Sequence, residues 1–471
     1  MTTNDPTLVP EAASFRDPAA RVWHHAGRIL RSVDAHTSEV LQQLQATRWL
    51  DEHCASGHLV ATRLLPPAEW PAQLPAGVAV VLEHERLPLV TYPYEWCFSM
   101  LADAGLLHLA LQESLLAQGC SLKDASAFNV AFDRHQPRFL DFGSFERPAR
   151  LDVWYAYGQF CRMFLFPLLL KLHRNVPLAG QFLPNLEGVN LIRCYRCLGR
   201  WRAWSPRHLL DVGLPYLLQQ KDSSAKPGGA SAASRPAGTS AAQLFTLRRL
   251  RKKLQQLKRG YRLASHWNDY RDTHSYDAAA EQHKQTLVSE WLTRERPAWV
   301  LDLGCNTGVF ARLAAAAGAS VIAVDSDHDS IERLYRELQQ QPAAIYPVVA
   351  NIATPPPGAG FLGLERQPLL DRIPADAMLG LALVHHLLVT ARLTLPMIAE
   401  LLRRCTRRLA IIEYVDPRDE MFQALLRYRT DDFSGLTLAA FRAALAAHFD
   451  ELGVEEVKPG KRWLLVLKRR T

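Results

Sequence analysis

The sequence predicts an α/β protein of two modules, the second built on a mostly parallel sheet. Three observations carry this expectation. After about residue 296, short apolar runs alternate with longer helical stretches: PAWVLDL, FARLAAAAG, SVIAVD, then a charged helix from His328 to about Gln340. That alternation fits a parallel sheet with helices on both faces. A turn bearing Gly304 and Gly308 interrupts the pattern between its first strand and first helix. Upstream, residues 221–243 are mostly Ser, Ala, Gly and Pro with no large apolar side chain, so they read as a flexible linker between a module over 1–220 and another over 244–471. A chain of 471 residues has room for both cores.

Composition narrows the classes. With 48% hydrophobic and 22% charged residues, the chain is a folded globular protein rather than a disordered one. The longest apolar run, Met163 to Leu170, is far shorter than the roughly 18 residues of a bilayer span, so no membrane span is expected. The N-terminus has neither the basic start nor the apolar stretch of a secretory leader, which makes the cytoplasm the expected location. Eight dispersed cysteines suit reduced thiols. Only Cys194 and Cys197 are close, and a single CxxC lacks the second pair of a structural zinc site, so no metal is expected.

The first module carries its chemistry in SLKDASAFNVAFDRHQPRFLDFGSF, from Ser121 to Phe145. Asp124 is followed five residues later by Asn129, and a strand-like run delivers Asp141-Phe142-Gly143. Phosphoryl transfer needs one carboxylate to orient a hydroxyl, and an Asn with a second carboxylate to hold magnesium on the phosphates. The stretch resembles the catalytic loop and DFG motif of protein kinases and, more closely, of small-molecule kinases of the aminoglycoside phosphotransferase type. The resemblance implies an α+β kinase-like domain. No lysine precedes Lys123, and no glycine-rich loop is visible, so the parts that meet the ATP phosphates are missing. Arg63, in LVATRLL, is the arginine expected to substitute for the lysine. The expectation is a degenerate recognition lobe, with Mg-ATP phosphotransfer through Asp124, Asn129 and Asp141 as the alternative.

Net charge is +8, from 55 basic and 47 acidic residues, and much of the excess is local. No acid lies between Asp222 and Asp269, while Arg248, Arg249, Arg251, Lys252, Lys253, Lys258, Arg259 and Arg262 crowd a short stretch. There Leu244, Leu247, Leu250, Leu254 and Leu257 recur at helical spacing, and Gly260 ends the pattern. A helix docked on its neighbour is expected. An RNA-directed role is the alternative, although no aromatic residue interleaves the run between Phe245 and Tyr261, and a nucleic-acid partner is therefore not expected.

In the second module, Val300 to Leu303 is a buried-strand run ending in Gly304-Cys305-Asn306-Thr307-Gly308, with a helix from about Val309. Glycine allows a ligand to approach the backbone. The next strand, Ser320 to Val324, ends in Asp325, an acid placed to accept both hydroxyls of a ribose. Further strands follow at Tyr346 to Ala350, Asp376 to Val384, running into His385 and His386, and Arg408 to Tyr414, placing Glu413 near its end. Val454 to Val457, the Pro459-Gly460 turn and Trp463 to Lys468 read as a closing antiparallel hairpin, seven strands in all.

Asp302 with D-L-G-C-N-T-G resembles the first motif of class I S-adenosylmethionine-dependent methyltransferases, and the likeness covers about 200 residues from Tyr270 onward. It implies a Rossmann-like sheet with S-adenosylmethionine as cofactor, held by Asp302, Gly304, Cys305, Asn306, Gly308, Asp325, Asn351 and Tyr276. Asn351 stands where such enzymes often carry an Asp facing adenine. Methyl transfer needs aligned partners and a base, and His385, His386 and Glu413 are the candidates, an unperturbed imidazole titrating near pH 6.5. Lys284, with Tyr270 and Tyr276, lies on a segment that folds over the cofactor in similar enzymes. After the fourth strand the sequence is V-H-H-L, not the D/N-P-P-Y/F of many amino-methylating enzymes, which leaves an oxygen or carbon of a small molecule, glycan or natural product as acceptor. The two-module order, with LKDASAFN and YPYEWCFSM (Tyr92 to Met100), also resembles bacterial proteins related to nodulation methyltransferases.

Overall fold

The computed structural model describes residues 7–17, 19–224, 240–263 and 278–470. Tyr270, Tyr276 and the centre of the expected linker lie outside them. The chain divides into two compact units, Met1–Tyr261 with Ala359–Arg366, and Arg262–Gly358 with Gln367–Thr471. No helix among the described residues is long and apolar enough to cross a membrane.

The first unit opens with β1 (Val9–Pro10), β2 (Ala20–His25), β3 (Arg28–Val33), β4 (Thr62–Leu65) and β5 (Val80–His84). They form an antiparallel sheet in the order β1-β2-β3-β5-β4, closed on one face over Trp23, Leu30, Leu65 and Val81. The helix Phe98–Ala117 is apolar on nearly every side and is buried along most of its length, as such a pattern requires. Its one buried amide, Gln112, is satisfied by the Leu122 N–H at 2.7 Å. Two short antiparallel ladders follow, β6 (Ser121–Leu122) with β9 (Phe145–Glu146) and β7 (Val130–Asp133) with β8 (Gln136–Phe139).

The basic helix runs Ser240–Gly260 and belongs to this first unit, so the division of contacts falls after it, at Tyr261, rather than before it. Leu247, Leu250, Leu254 and Leu257 are buried, and Gly105 makes room for them: a Cβ there would stand 2.7 Å from Leu254 Cδ2. Its cations face acids. Lys258 meets Asp103 at 2.7 Å, Arg249 pairs with Asp211, and Arg251 with Glu113. The expected linker is also shorter at both ends than composition suggested, because the helix Leu214–Ser224 enters it and Ser240 already begins the next helix. Small residues lack the bulk to build a core but do not prevent a helix from running on.

The second unit carries β10 (Trp299–Leu303), β11 (Ser320–Asp325), β12 (Ile345–Val349), β13 (Ala377–Gly380), β14 (Leu409–Val415), β15 (Phe449–Lys458) and β16 (Arg462–Arg469). The order is β12-β11-β10-β13-β14-β16-β15, parallel except for the terminal hairpin. The register sets Asp302 beside Ala323 on one side and Leu379 on the other, so β10 is central and its carboxyl end faces the strand-order reversal. One expected strand is corrected. β13 stops at Gly380, the backbone turns at Ala382 with φ +50°, and His385 and His386 lie on the helix Val384–Val389. Leu381 and Val384 of the run LALV are buried, and a short apolar run does not by itself distinguish strand from helix.

Candidate active site

The turn after β10 is stapled to the neighbouring strand. The amides of Gly304 and Cys305 both donate to the Val324 carbonyl, at 2.8 and 3.1 Å, and Asn306 N–H donates to Asp325 Oδ2 at 2.8 Å. These three amides are therefore spent inside the protein. Gly304 and Gly308 adopt φ of +72° and +82°, and at Gly308 a Cβ would stand 2.7 Å from Leu334 Cδ1. Glycine at 308 thus answers both a left-handed backbone and close packing.

The turn's open chemistry is carried by carboxylates. Asp302 is buried at the end of β10, and its Oδ2 has no hydrogen-bond partner among the described residues. Burial, with Asp325 nearby, pushes its carboxyl up to about 7. Burial raises Asp325 as well, against the backbone N–H groups of Asp327 and Asn306 that favour its charged form. Two desolvated acids on adjacent strand ends, one with an orphaned oxygen, fit a ligand that brings a positive charge and hydroxyl donors, as S-adenosylmethionine does. Cys305 is buried and its thiol is pushed well up, which leaves it protonated. Asn351 is exposed and its Oδ1 is turned back to accept the Ala353 N–H at 3.0 Å. Tyr276 lies outside the described residues.

Beyond β13 the three expected catalytic side chains part company. His385 is 1% exposed, and neither ring nitrogen has a partner among the described residues. Burial, then the neighbouring His386, Arg462 and Lys284, holds it well below the usual imidazole range, so it is neutral rather than poised near pH 6.5. Burial lowers His386 to about 4. Phe422 stacks beside His385 with ring centroids 6.1 Å apart.

Glu413 is fully buried and already engaged. It meets Lys284 Nζ at 2.7 Å and Arg462 Nη1 at 3.3 Å, and accepts the Ala382 N–H at 2.9 Å. Arg462 continues to Asp419 at 2.8 Å, and Asp419 caps the helix Glu420–Leu426 that carries Phe422. This chain of four charges escaped the sequence reading as a unit, since its members lie far apart. The available signal was a charge embedded in apolar strand text, as in LAIIEYV.

In the first unit, Asn129 Nδ2 donates to Asp141 Oδ2 at 3.2 Å. Asp124 stands near enough that Asp141, after burial, raises its carboxyl. Arg31 Nη1 reaches Asp141 Oδ1 at 3.0 Å, and Arg63, the arginine expected to stand in for the phosphate-binding lysine, pairs with Glu83 and Glu69 near the surface. Cys194 is buried and Cys197 exposed, and no metal-holding group of three or more His, Cys, Asp or Glu occurs among the described residues.

Removing one member of a buried ion pair leaves the other charge uncompensated, at about 3–5 kcal/mol. Lys284→Met leaves Glu413 with Arg462 as its remaining cation, so it should lower the urea-unfolding stability of the second unit by up to that order, and adding Glu413→Gln should recover part of the loss. Equal stability of wild type and Lys284→Met would show that the pair holds nothing together.

The chain is similar to known proteins. Residues 272–447 match the family described as a methyltransferase domain. Nodulation protein NoeA of Rhizobium meliloti (strain 1021) is 32% identical over 463 residues, 97% of this chain and 96% of that protein. Among solved structures, the N-methyltransferase NodS from Bradyrhizobium japonicum WM9 is similar over 41% of this chain and 99% of its own, at 11% identity and a TM-score of 0.31. The bifunctional kinase-methyltransferase WbdD is similar over 44% of this chain and 42% of its own, at 19% identity and a TM-score of 0.30. With nearly its whole length aligned to NoeA, the chain belongs to the family of that nodulation protein, and it is an S-adenosylmethionine-dependent methyltransferase.

Proposed function

We propose that the enzyme methylates an oxygen or carbon of a small-molecule or glycan acceptor, with the first unit acting as a kinase-like recognition lobe. The observation that carries the site assignment is the orphaned Oδ2 of Asp302 beside Asp325, across a turn where Gly304 leaves the backbone approachable. S-adenosylmethionine supplies an electrophilic methyl group on a sulfonium. Asp302 holds its ammonium group, Asp325 its ribose hydroxyls, and Gly304 admits its amino-acid end, while Gly308 serves by letting the turn bend back against Leu334. Asn306 serves through its backbone, which fixes Asp325.

His385, neutral and unpartnered, orients the acceptor and takes up its proton in the transition state. A base held this low does not ionise a hydroxyl beforehand; it acts as charge develops. Glu413 is a positioning residue rather than a base: its hold on Ala382 N–H sets the left-handed turn that leads into His385. Leu383 of the same turn is the nearest side chain to Gly304, with 3.5 Å from Leu383 Cδ1 to a Cβ built there.

Phosphotransfer is the second reading, favoured by the meeting of Asn129 and Asp141. The recognition lobe is preferred because both oxygens of Asp141 are taken, one by Arg31 and one by the Asn129 amide. The RNA-directed reading loses its support, since Arg249, Arg251 and Lys258 of the basic helix face acids of their own unit.

Asp302, with a carboxyl near 7, is largely protonated below that pH, while a bound ammonium group requires the carboxylate. Cofactor binding should release a proton from it, with affinity falling about tenfold per unit below pH 7. Calorimetry in two buffers of different ionisation enthalpy reads the release, which Asp302→Asn should abolish; pH-independent binding without proton release would refute this role. His385→Ala should lower kcat about 10²–10⁴-fold while cofactor affinity holds, and full turnover would remove His385 from the mechanism. Labelled ATP with candidate acceptors should give no transfer; transfer lost in Asp141→Ala would establish the bifunctional enzyme.

A further inference from the structure

The first unit bears a surface that neither site uses. From Gly188 to Leu210 there is no acidic residue, while Arg193, Arg196, Arg200, Arg202 and Arg207 are all exposed, and none has an acid in salt-bridge reach among the described residues. Set among them, Trp201 is 91% exposed and Trp204 partly so. The segment is held in shape from within. Trp204 donates to the Tyr195 hydroxyl at 3.2 Å, and Tyr195 stacks on Tyr216 at 3.7 Å, tying the helices Leu191–Leu198 and Arg200–Ala203 to Leu214–Ser224. Leu210 and Leu218 are likewise exposed on this stretch. An exposed tryptophan flanked by arginines is poorly explained by folding, because its burial elsewhere would stabilise the chain.

We propose that this arginine–tryptophan face docks the enzyme on an anionic lipid surface. Arginines meet the phosphates, while Trp201 and the leucines enter the headgroup boundary, where an indole finds both apolar and polar surroundings. Charge decides among occupants. A second copy of the chain would set five unpaired arginines against themselves. A nucleic acid would satisfy the arginines and stack on tryptophan, but it offers nothing to exposed leucines. This is peripheral docking, distinct from a membrane span.

The test is flotation of the full-length protein with vesicles of phosphatidylcholine alone and of phosphatidylcholine with phosphatidylglycerol. Binding should require the anionic lipid and weaken with salt. Each arginine removed should cost about fivefold in affinity, so Arg200→Gln with Arg202→Gln should cost about 25-fold. Trp201→Ala should weaken binding severalfold, and S-adenosylmethionine affinity should stay unchanged in each variant, as a check of folding. Failure to float, equal binding to neutral vesicles, or unaltered binding by the variants would overturn the proposal. So would single-stranded RNA bound through these residues by a protein that ignores vesicles.

Discussion

The buried carboxylate of Glu413 is the constraint on which the second unit's site depends. Removing a charge from water is costly, and it is tolerated where further groups satisfy it. Here Lys284 and Arg462 supply the compensation and the Ala382 amide supplies a hydrogen bond. The consequence is geometric. A left-handed alanine is unfavourable on its own, yet it stands at the end of β13 because Glu413 holds its N–H, and the helix bearing His385 starts from there. Arg462 carries the same constraint to Asp419 and so to Phe422, the ring beside His385.

Desolvation then sets the protonation states. It acts in opposite senses on acids and imidazoles, since in each case it disfavours the charged form. Asp302 and Asp325 move up, His385 and His386 move down, and the result is a site poorer in charge than its residue list suggests. In the proposed function it is this site that takes the cationic cofactor. It also holds His385, whose ring nitrogens have no partner among the described residues.

The first unit shows how partners decide what charge means. The basic helix Ser240–Gly260 has the larger cluster of cations, but Arg249, Arg251 and Lys258 close onto Asp211, Glu113 and Asp103 and serve folding. The smaller cluster around Trp201 has no such acids among the described residues and keeps its charge at the surface. Within the same unit Arg31 is almost fully buried and bonds Asp141, while Arg63 is half exposed and pairs with Glu69 and Glu83. Both arginines lie in strand-like text, and only the pairing of β3 against its neighbours gives one of them access to that carboxylate.

What the sequence determined by itself is local. Alternating apolar runs set the β10 to β12 strands and their helices, the glycines marked a turn that tolerates left-handed backbone, and leucines at helical spacing fixed the buried face of Ser240–Gly260. These features arise from periodicity and steric freedom, which residues a few positions apart already encode. The tertiary structure decided the rest: that β13 ends at Gly380, that Glu413 is paired with Lys284 and Arg462, that the Gly304 and Cys305 amides bond the Val324 carbonyl, and that the basic helix joins the first unit. Each depends on a partner distant along the chain. Burial and pairing energies belong to such contacts, so they exist only once the fold has brought the residues together.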